Sequence, residues 1–250
     1  MKPLHILLVL TLLLPACGPA AGSADLGCAE AVAGLRGLTA GLEIPENLLT
    51  ETALENGSEF DPNAYFDVLT HLSMEPGYTL DFVYTYDWMG GYPTLLARPA
   101  GDPPYLQWAD APAAAEYYMD HIVVDGTPEG FLQLALLDML GQQFYLWWHA
   151  NYNDWQVICS QADVRATVHA LAGSDFGLPM PLADRVRAWL LSEVEPTVEI
   201  GDQTVEVRLV TFSQWGGFYE FRFKVQKEFP HTILNVEQEQ LVPYDCGVMF

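Results

Sequence analysis

A run of aromatic and polar residues near the middle of the chain offers the groups with which proteins hold small polar ligands. Its members are Tyr145, Trp147, His149, Asn151, Tyr152, Asn153 and Asp154. Aromatic rings stack on the flat face of a sugar, while amide and carboxylate groups hydrogen-bond its hydroxyls. The same residues also suit the packed second face of a strand pair that is joined by an Asx-rich turn. The sequence leaves both interpretations open.

A second aromatic group follows a stretch of strand-like alternation. Tyr84 and Tyr86 precede the segment Asp87-Trp88-Met89-Gly90-Gly91-Tyr92, whose paired glycines allow a tight turn. Trp88 at the tip would either insert into a partner or line a cleft, although a plain hairpin also carries such residues. We include Trp88 among the candidate ligand-binding residues.

A basic cluster, formed by Arg208, Arg222 and Lys224, lies in the C-terminal part of the chain. Four glutamates accompany it on the same or the adjoining strand: Glu206, Glu220, Glu237 and Glu239. This mixture favours a solvated ladder of salt bridges over an anion-binding patch.

The chain lacks the motifs of common catalytic and metal centres. We find no GxSxG elbow, SxxK pair, glycine-rich phosphate loop, HExxH or calcium-loop pattern, and His71 and Glu75 lie where a helix should end. A calcium site built from loop 151–154 is the remaining metal alternative. We therefore predict no cofactor and no metal, leave the catalytic residues unknown, and expect a binding or structural protein. The alternative is an extracytoplasmic hydrolase without a recognisable motif.

The charge of the chain is strongly acidic. It carries 33 acidic and 10 basic residues, and Arg98 is the only basic residue from Gly37 to Asp163. Such a surface repels phosphate backbones, so we expect no nucleic-acid partner. A small polar ligand or a surface protein is the more suitable partner, and the acidic excess also favours solubility.

The N-terminus has the layout of an export signal. Lys2 precedes an apolar run that ends at Leu14, too short to span a bilayer, and Leu14-Pro15-Ala16-Cys17 follows. This tetrad resembles the lipobox of bacterial lipoproteins, although Pro15 departs from its usual small or β-branched residue. The resemblance implies cleavage after residue 16, acylation of Cys17 and an extracytoplasmic anchor in the cell membrane or outer membrane. Ordinary cleavage near Ala21 or Ala24 is the alternative.

Three cysteines remain beyond the anchor, and export permits a disulfide among them. Both Cys159 and Cys246 fall on apparent strands near the core. We predict a bridge between these two, with a pair of buried thiols as the alternative.

The pattern along the chain predicts an α+β fold in which antiparallel hairpins and a C-terminal β-meander pack with several helices. Residues 17–27 form a flexible tether, and residues 28–250 form one domain, with 28–126 and 127–250 as alternative subdomains. Helices are predicted over 61–72, 128–141, 161–171 and 182–192, and hairpins over 78–98 and 143–159. Asp61 can cap the first helix, with Pro62 in its first turn, and Ser160-Gln161-Ala162-Asp163 resembles a capping box for the third. The second helix starts at Thr127-Pro128 and is apolar nearly all round, so we expect it to be central. In the meander, an odd-numbered loop at 215–217 pairs Leu209 with Phe223 and places Arg208 opposite Lys224, while the preceding turn pairs Val198 with Val205.

Overall fold

The computed structural model describes residues 26–112, 117–147, 153–173 and 177–248. The predicted signal segment, Cys17 and the tether up to residue 25 lie outside the described residues, and so do His149, Asn151 and Tyr152. Within the described residues, no helix is both long enough and apolar enough to cross a membrane.

The elements follow one another in a mixed order that confirms the α+β class. The helices are α1 (Cys28–Thr39), α2 (Tyr65–Val68), α3 (Pro128–Leu140), α4 (Gln161–Ala172) and α5 (Leu182–Trp189). The strands are β1 (Leu72–Met74), β2 (Tyr78–Asp87), β3 (Gly90–Pro99), β4 (Ile122–Val124), β5 (Gln156–Ile158), β6 (Thr197–Ile200), β7 (Thr204–Ser213), β8 (Gly217–Gln226) and β9 (Ile233–Pro243). Every strand pair among them is antiparallel.

The predicted helix over 61–72 is shorter than expected. Its start is as predicted, since Asp61 accepts a hydrogen bond from the backbone N–H of Asn63 and Pro62 occupies the first turn. A short 3-10 turn then leads into α2, which ends at Val68. The chain leaves the helix because Leu72 pairs with Val124 in the two-stranded β1–β4 sheet.

The hairpin over 78–98 is confirmed. Strands β2 and β3 pair along their whole length, and Asp87 lies opposite Gly90, which leaves Trp88 and Met89 at the tip. The Asp87 carboxylate closes the turn by accepting hydrogen bonds from the backbone N–H groups of Met89 and Gly90, at 2.8 and 2.9 Å.

Helix α3 is confirmed as a central element. The Thr127 hydroxyl caps it by accepting a hydrogen bond from the Gly130 N–H, and Pro128 occupies the first turn. Ten of its thirteen residues are buried, so the helix is in contact with protein on all sides. It packs against both α1 and strands β6 and β7, and thereby joins the N-terminal elements to the meander.

The predicted hairpin over 143–159 is wrong. Residues 143–147 form no strand, and β5 pairs instead with β7, where Val157 lies opposite Thr211. Phe144 and Tyr145 are buried side by side in the main core, which neither face of an isolated hairpin would allow. The alternation of residue types over 143–147 therefore belongs to a buried segment without regular secondary structure, and not to a paired strand.

The C-terminal meander is confirmed, but with its register shifted by two residues. An odd-numbered loop does join β7 to β8, with Ser213 opposite Gly217, and Gly217 adopts the left-handed φ of 98°. Leu209 pairs with Phe221 rather than Phe223, and Arg208 lies opposite Arg222 rather than Lys224. In the preceding turn, Val198 pairs with Val207 instead of Val205.

The meander sheet is covered on one face along its length and on the other face only at one end. Val205, Val207 and Leu209 of β7 belong to the main core around α3. Val210 and Phe212 point the other way into a second core, which α4 and α5 complete with Val168 and Ala188. Both helices are close to their predicted positions, and α4 begins as predicted: the Ser160 hydroxyl accepts from the Asp163 N–H, and the Asp163 carboxylate accepts from Ser160 and the Cys159 N–H.

The predicted disulfide between Cys159 and Cys246 is wrong. Cys159 is bonded to Cys28 of α1, and Cys246 is a buried free cysteine. The two cores explain the difference, because the Cys159 side chain packs against the main core whereas Cys246 belongs to the second core, across the sheet. The observed bridge joins positions 131 residues apart and ties α1 to the start of α4.

We predict that Cys28→Ser lowers the free energy of unfolding by about 3 kcal/mol, because the bridge closes a long loop in the unfolded chain. Urea unfolding of the oxidised full chain measures this loss, and Cys246→Ala serves as the matched control with a smaller loss. Peptide mapping without reductant should yield a linked pair containing Cys28 and Cys159. Recovery of a Cys159–Cys246 peptide would contradict the assignment.

Candidate functional site

The two aromatic segments singled out in the sequence meet at one cleft. The tip of the β2–β3 hairpin contributes Tyr86, Trp88, Met89 and Gly90, and the segment after α3 contributes Trp147. The cleft has a volume of about 300 Å³. The rings of Tyr86 and Trp147 lie 5.6 Å apart at an angle of 40°, and Trp88 is 86% exposed.

Backbone and buried hydrogen bonds fix the position of Trp147 beside the hairpin. The Trp147 N–H donates to the Gly91 carbonyl at 2.9 Å. Two residues earlier, the carbonyl of Tyr145 accepts a hydrogen bond from the Tyr84 hydroxyl, also at 2.9 Å. Gly91 has to be glycine here, because a Cβ at this position would collide with the Tyr84 ring.

This arrangement suits a ligand that stacks on aromatic rings. The rings come from two separate segments of the chain. Tyr86 and Trp147 lie against each other, whereas Trp88 projects into solvent. Aromatic planes around a small cleft bind the apolar faces of sugars and attract cations. The neighbouring Asp87 carboxylate and the acidic chain disfavour an anionic ligand.

Tyr145 was a candidate ligand-binding residue, but the structure uses it inside the core. It is 6% exposed, and its hydroxyl accepts a hydrogen bond from the Phe60 N–H at 2.8 Å. Its backbone adopts a left-handed φ of 50°, which a non-glycine residue adopts only when its surroundings demand it. The residue turns the chain so that Trp147 can reach the hairpin.

Asn153 and Asp154 were also candidate ligand-binding residues, and both form hydrogen bonds that hold neighbouring segments of the fold in place. The side-chain amide of Gln143 donates to Asn153 Oδ1 at 3.0 Å. The Asp154 carboxylate accepts from the Ser213 hydroxyl and from the Gln214 N–H, each at 2.7 Å, and so holds the β7–β8 loop. Burial raises the pKa of Asp154, although these two hydrogen bonds oppose the shift.

The remaining candidates of the polar run, His149, Asn151 and Tyr152, lie outside the described residues. Loop 151–154, the alternative calcium site, is therefore described only at its last two positions. Among the residues that the structure describes, no group of three or more histidine, cysteine, aspartate or glutamate side chains is arranged to hold a metal ion.

The basic cluster is a salt-bridge network. Arg208 and Arg222 both bind the Glu220 carboxylate, at 2.9 and 2.6 Å. Arg208 also donates to the backbone carbonyls of Glu193 and Glu195. Hydrogen bonds from both arginines lower the pKa of Glu220 against the opposing effect of burial. Four further glutamates, Glu193, Glu195, Glu199 and Glu206, line the surface around the same two arginines, which leaves it unsuited to an anion.

Two histidine–carboxylate pairs, which the sequence analysis did not identify, flank the β1–β4 sheet. His71 Nδ1 lies 2.7 Å from Asp125, and His121 Nδ1 lies 2.8 Å from Glu75. The partners are more than forty residues apart in the chain, so only the β1–β4 pairing brings them together. No local sequence signal could have revealed these contacts.

The His71 pair has the composition of a catalytic triad but not its geometry. Thr127 Oγ1 lies 3.3 Å from His71 Nδ1, the same ring nitrogen that faces Asp125. A triad needs the carboxylate and the hydroxyl on opposite ring nitrogens, so that the imidazole can pass a proton between them. The Thr127 hydroxyl moreover caps α3 and binds Asp125, which makes the group a structural cap.

A buried carboxyl cluster lies beneath the β2–β3 hairpin. Glu55 is 8% exposed, and its Oε1 has no hydrogen-bond partner. Desolvation raises the pKa of Glu55 to about 9, and the nearby charges of Asp81 and Glu59 add to the shift. Asp81 is equally buried and is held by Arg98 at 2.5 Å and by the Tyr105 N–H. Both carboxyls are therefore out of reach of a substrate.

No protein-family model, no curated protein and no solved structure matches the chain. The geometry described above is thus the whole basis for assigning a function.

We predict that the free energy of unfolding of Glu55→Gln falls less than that of the wild type as the pH rises. The folded protein keeps the Glu55 proton up to a pKa of about 9, whereas the unfolded chain releases it near 4.5, so stability falls across this window. The variant should match the wild type at pH 4 and exceed its free energy of unfolding by about 4 kcal/mol at pH 8. Urea unfolding at a series of pH values measures the difference.

Glu59→Gln is the matched control, and it should change stability at pH 8 in the opposite direction. Burial works to raise the pKa of Glu59, but hydrogen bonds from the Asn56 N–H, the Asn47 amide and the Gly57 N–H outweigh it and lower the pKa. That carboxylate stabilises the fold above its unfolded pKa, so Glu59→Gln should lose stability at pH 8, and the loss should shrink at low pH. Parallel pH profiles for the two variants would contradict this account.

Proposed function

We propose that this protein is an exported, lipid-anchored binding protein that captures a neutral saccharide at the cleft between the β2–β3 hairpin and Trp147. The observation that supports this most directly is the convergence of Tyr86, Trp88 and Trp147 from separate segments at one cleft of about 300 Å³. We refer to it below as the aromatic cleft.

The placement of Trp88 argues for a role beyond folding. A side chain of this size that is 86% exposed contributes little to the core, and its ring is accessible to a ligand. The rest of the cleft is held by main-chain and buried contacts, so a ligand would meet a preformed surface. Preformed sites lose less entropy on binding.

The acidic character of the chain selects among sugars. A net charge of −23 and the Asp87 carboxylate beside the tip disfavour uronic and phosphorylated saccharides. Neutral oligosaccharides keep the stacking contribution without that electrostatic penalty. They are also ligands that an extracytoplasmic protein meets outside the cell.

The proposed location follows from the N-terminal sequence. A signal layout that ends in Leu14-Pro15-Ala16-Cys17 supports cleavage before Cys17 and acylation of its thiol. Several acyl chains hold a protein at a membrane far more firmly than one myristoyl chain. The bridge between Cys28 and Cys159 supports the same compartment, because disulfides persist outside the cytoplasm.

For the ligand, we predict that a panel of neutral cello-, chito-, malto- and xylo-oligosaccharides contains at least one member that raises the melting temperature and changes tryptophan fluorescence. Trp88→Ala should weaken that binding about tenfold, since loss of a stacked aromatic ring costs on the order of 1.4 kcal/mol. Its own melting temperature should stay near that of the wild type, because the side chain is exposed.

Trp189→Phe provides the control, since Trp189 is a half-exposed tryptophan on helix α5 and not on the β2–β3 hairpin. This variant should bind the same saccharide with unchanged affinity. Equal binding by Trp88→Ala and the wild type, or no response to any member of the panel, would rule out the saccharide assignment.

For the anchor, we predict that protein purified from its native membrane fraction has the mass of a chain that begins at Cys17 and carries diacylglyceryl or triacyl modification. Cys17→Ala should abolish the modification and shift the protein out of the membrane fraction. An unmodified wild-type chain that begins near Ser23 or Asp25 would exclude lipidation and indicate a freely secreted protein. Either result is independent of the saccharide experiment.

A further inference from the structure

A second cleft lies between helices α4 and α5, on the side of the meander opposite α3. With a volume of about 630 Å³ it is twice the size of the aromatic cleft. Its described lining is Arg165, Val168, His169 and Ala172 from α4 with Arg185 and Trp189 from α5. The four α4 residues follow the i, i+3, i+4, i+7 spacing of one helix face. We call this the α4–α5 cleft.

The charge of the side chains that line this cleft is opposite to the net charge of the whole chain. Acidic residues outnumber basic ones by 33 to 10, yet two arginines and a histidine line the cleft. No carboxylate is found among the described residues that line it. The Arg208 cluster is different, because its arginines are bound to Glu220.

The floor and one wall of the cleft are apolar. Val168 is buried in the second core, and the Trp189 indole stands at the edge with 47% of its surface exposed. Leu182 lies one turn before Arg185 on the same face of α5 and is 70% exposed. Apolar surface therefore continues from the floor of the cleft out along α5.

One cation in the cleft is held in place by the backbone. Arg185 Nε donates to the Met180 carbonyl at 2.7 Å, which fixes the plane of the guanidinium. A guanidinium held in this way presents its remaining N–H groups in a fixed fork, the geometry that suits a carboxylate. Arg165 reaches the cleft from the opposite helix.

We propose that the α4–α5 cleft binds an anionic amphiphile, namely a carboxylate on an unbranched apolar chain, as in a medium-chain fatty acid. The head group would lie between Arg165 and Arg185, and the chain would lie along Val168, Ala172 and Trp189. Charge complementarity selects the head group, and the apolar floor selects the chain. A cleft of this volume lies within the usual range for small-molecule sites.

The acidic remainder of the protein does not prevent such binding. At physiological ionic strength, interactions between exposed charges are screened beyond roughly 8 Å, so the local arginines dominate the potential in the cleft. The more distant carboxylates instead slow the approach of anions, which affects the association rate more than the affinity. Binding should therefore weaken in high salt but persist.

The proposal does not depend on the aromatic cleft, which lies on a different part of the chain. A titration of the full chain with decanoate below its micellar concentration, followed by calorimetry, tests it directly. We expect saturable binding at one site, weaker binding of hexanoate and none of acetate, because each buried methylene contributes about 0.8 kcal/mol. Arg165→Glu should weaken decanoate binding at least tenfold, and Arg165→Lys should retain most of it.

Matched variants locate the site and separate the possible outcomes. Trp88→Ala, in the aromatic cleft, should bind decanoate as the wild type does, whereas Trp189→Ala should bind it more weakly. Hydrogen exchange should show protection of residues 165–172 and 182–190 when decanoate is added. Equal affinities of the wild type and Arg165→Glu, or equal affinities for decanoate and decyltrimethylammonium, would overturn the proposal.

Phosphatidylglycerol vesicles distinguish a free amphiphile from a membrane surface. If the same helices become protected by vesicles while decanoate does not bind, the cleft is part of a bilayer-docking face and the proposal is wrong. If decanoate binds and phosphatidylglycerol vesicles give no protection of α5, the free amphiphile is supported.

Discussion

The burial of α3 between the two halves of the chain is the interaction on which the rest of the structure depends. This helix packs against α1 and the β1–β4 sheet on one side and against β6 and β7 on the other. Its leucines are fully buried, and each contributes about 1.5–3 kcal/mol relative to an exposed position. A helix without a polar face has no stable place except between two layers. The order of the chain, with N-terminal elements on one side and the meander on the other, follows from that requirement.

The end of α3 also determines where the aromatic cleft can form. The Gly141 carbonyl accepts a hydrogen bond from the buried Tyr65 hydroxyl, which fixes the point at which the helix stops. Phe144 then packs against Phe60 and Phe82, and Tyr145 turns the chain toward β2. Trp147 consequently arrives beside the hairpin as a result of core packing. The position of the cleft is thus a consequence of the way the core closes, and Trp88 at its rim is 86% exposed.

Helix caps and short-range alternation in the sequence predicted those helices and hairpins that depend mainly on neighbouring residues. Asp61 and Ser160 cap helices as expected, α3 begins at Pro128 as expected, and the alternation of β2 and β3 around Trp88-Met89 predicted the hairpin. The meander register was wrong by two residues because side chains alternate with a period of two. A shift of two keeps every apolar residue on the same face, so the hydrophobic pattern alone does not distinguish the two pairings.

The features that depend on distant contacts could not be predicted in this way. Strand β5 pairs with β7 across more than fifty residues, and the alternation over 143–147 is compatible with a local partner that the structure does not use. The disulfide was misassigned because apparent strands gave no information about the face on which each cysteine lies. Trp88 and Trp147 were each recognised as candidates, but their meeting at one cleft depends on the chain turning at Tyr145.

The distribution of charge follows from the same layering. Where α4 and α5 cover the meander, the outer face of β7 carries Val210 and Phe212, and beyond those helices it carries Glu206 and Arg208. An arginine on the exposed part of the sheet finds a glutamate on the next strand, as Arg208 finds Glu220. On the covering helices, Arg187 binds Asp184 of its own helix, and Arg185 binds the Met180 carbonyl. Arg165, His169 and Arg185 of this layer line the larger cleft, which places cations together in an otherwise acidic chain.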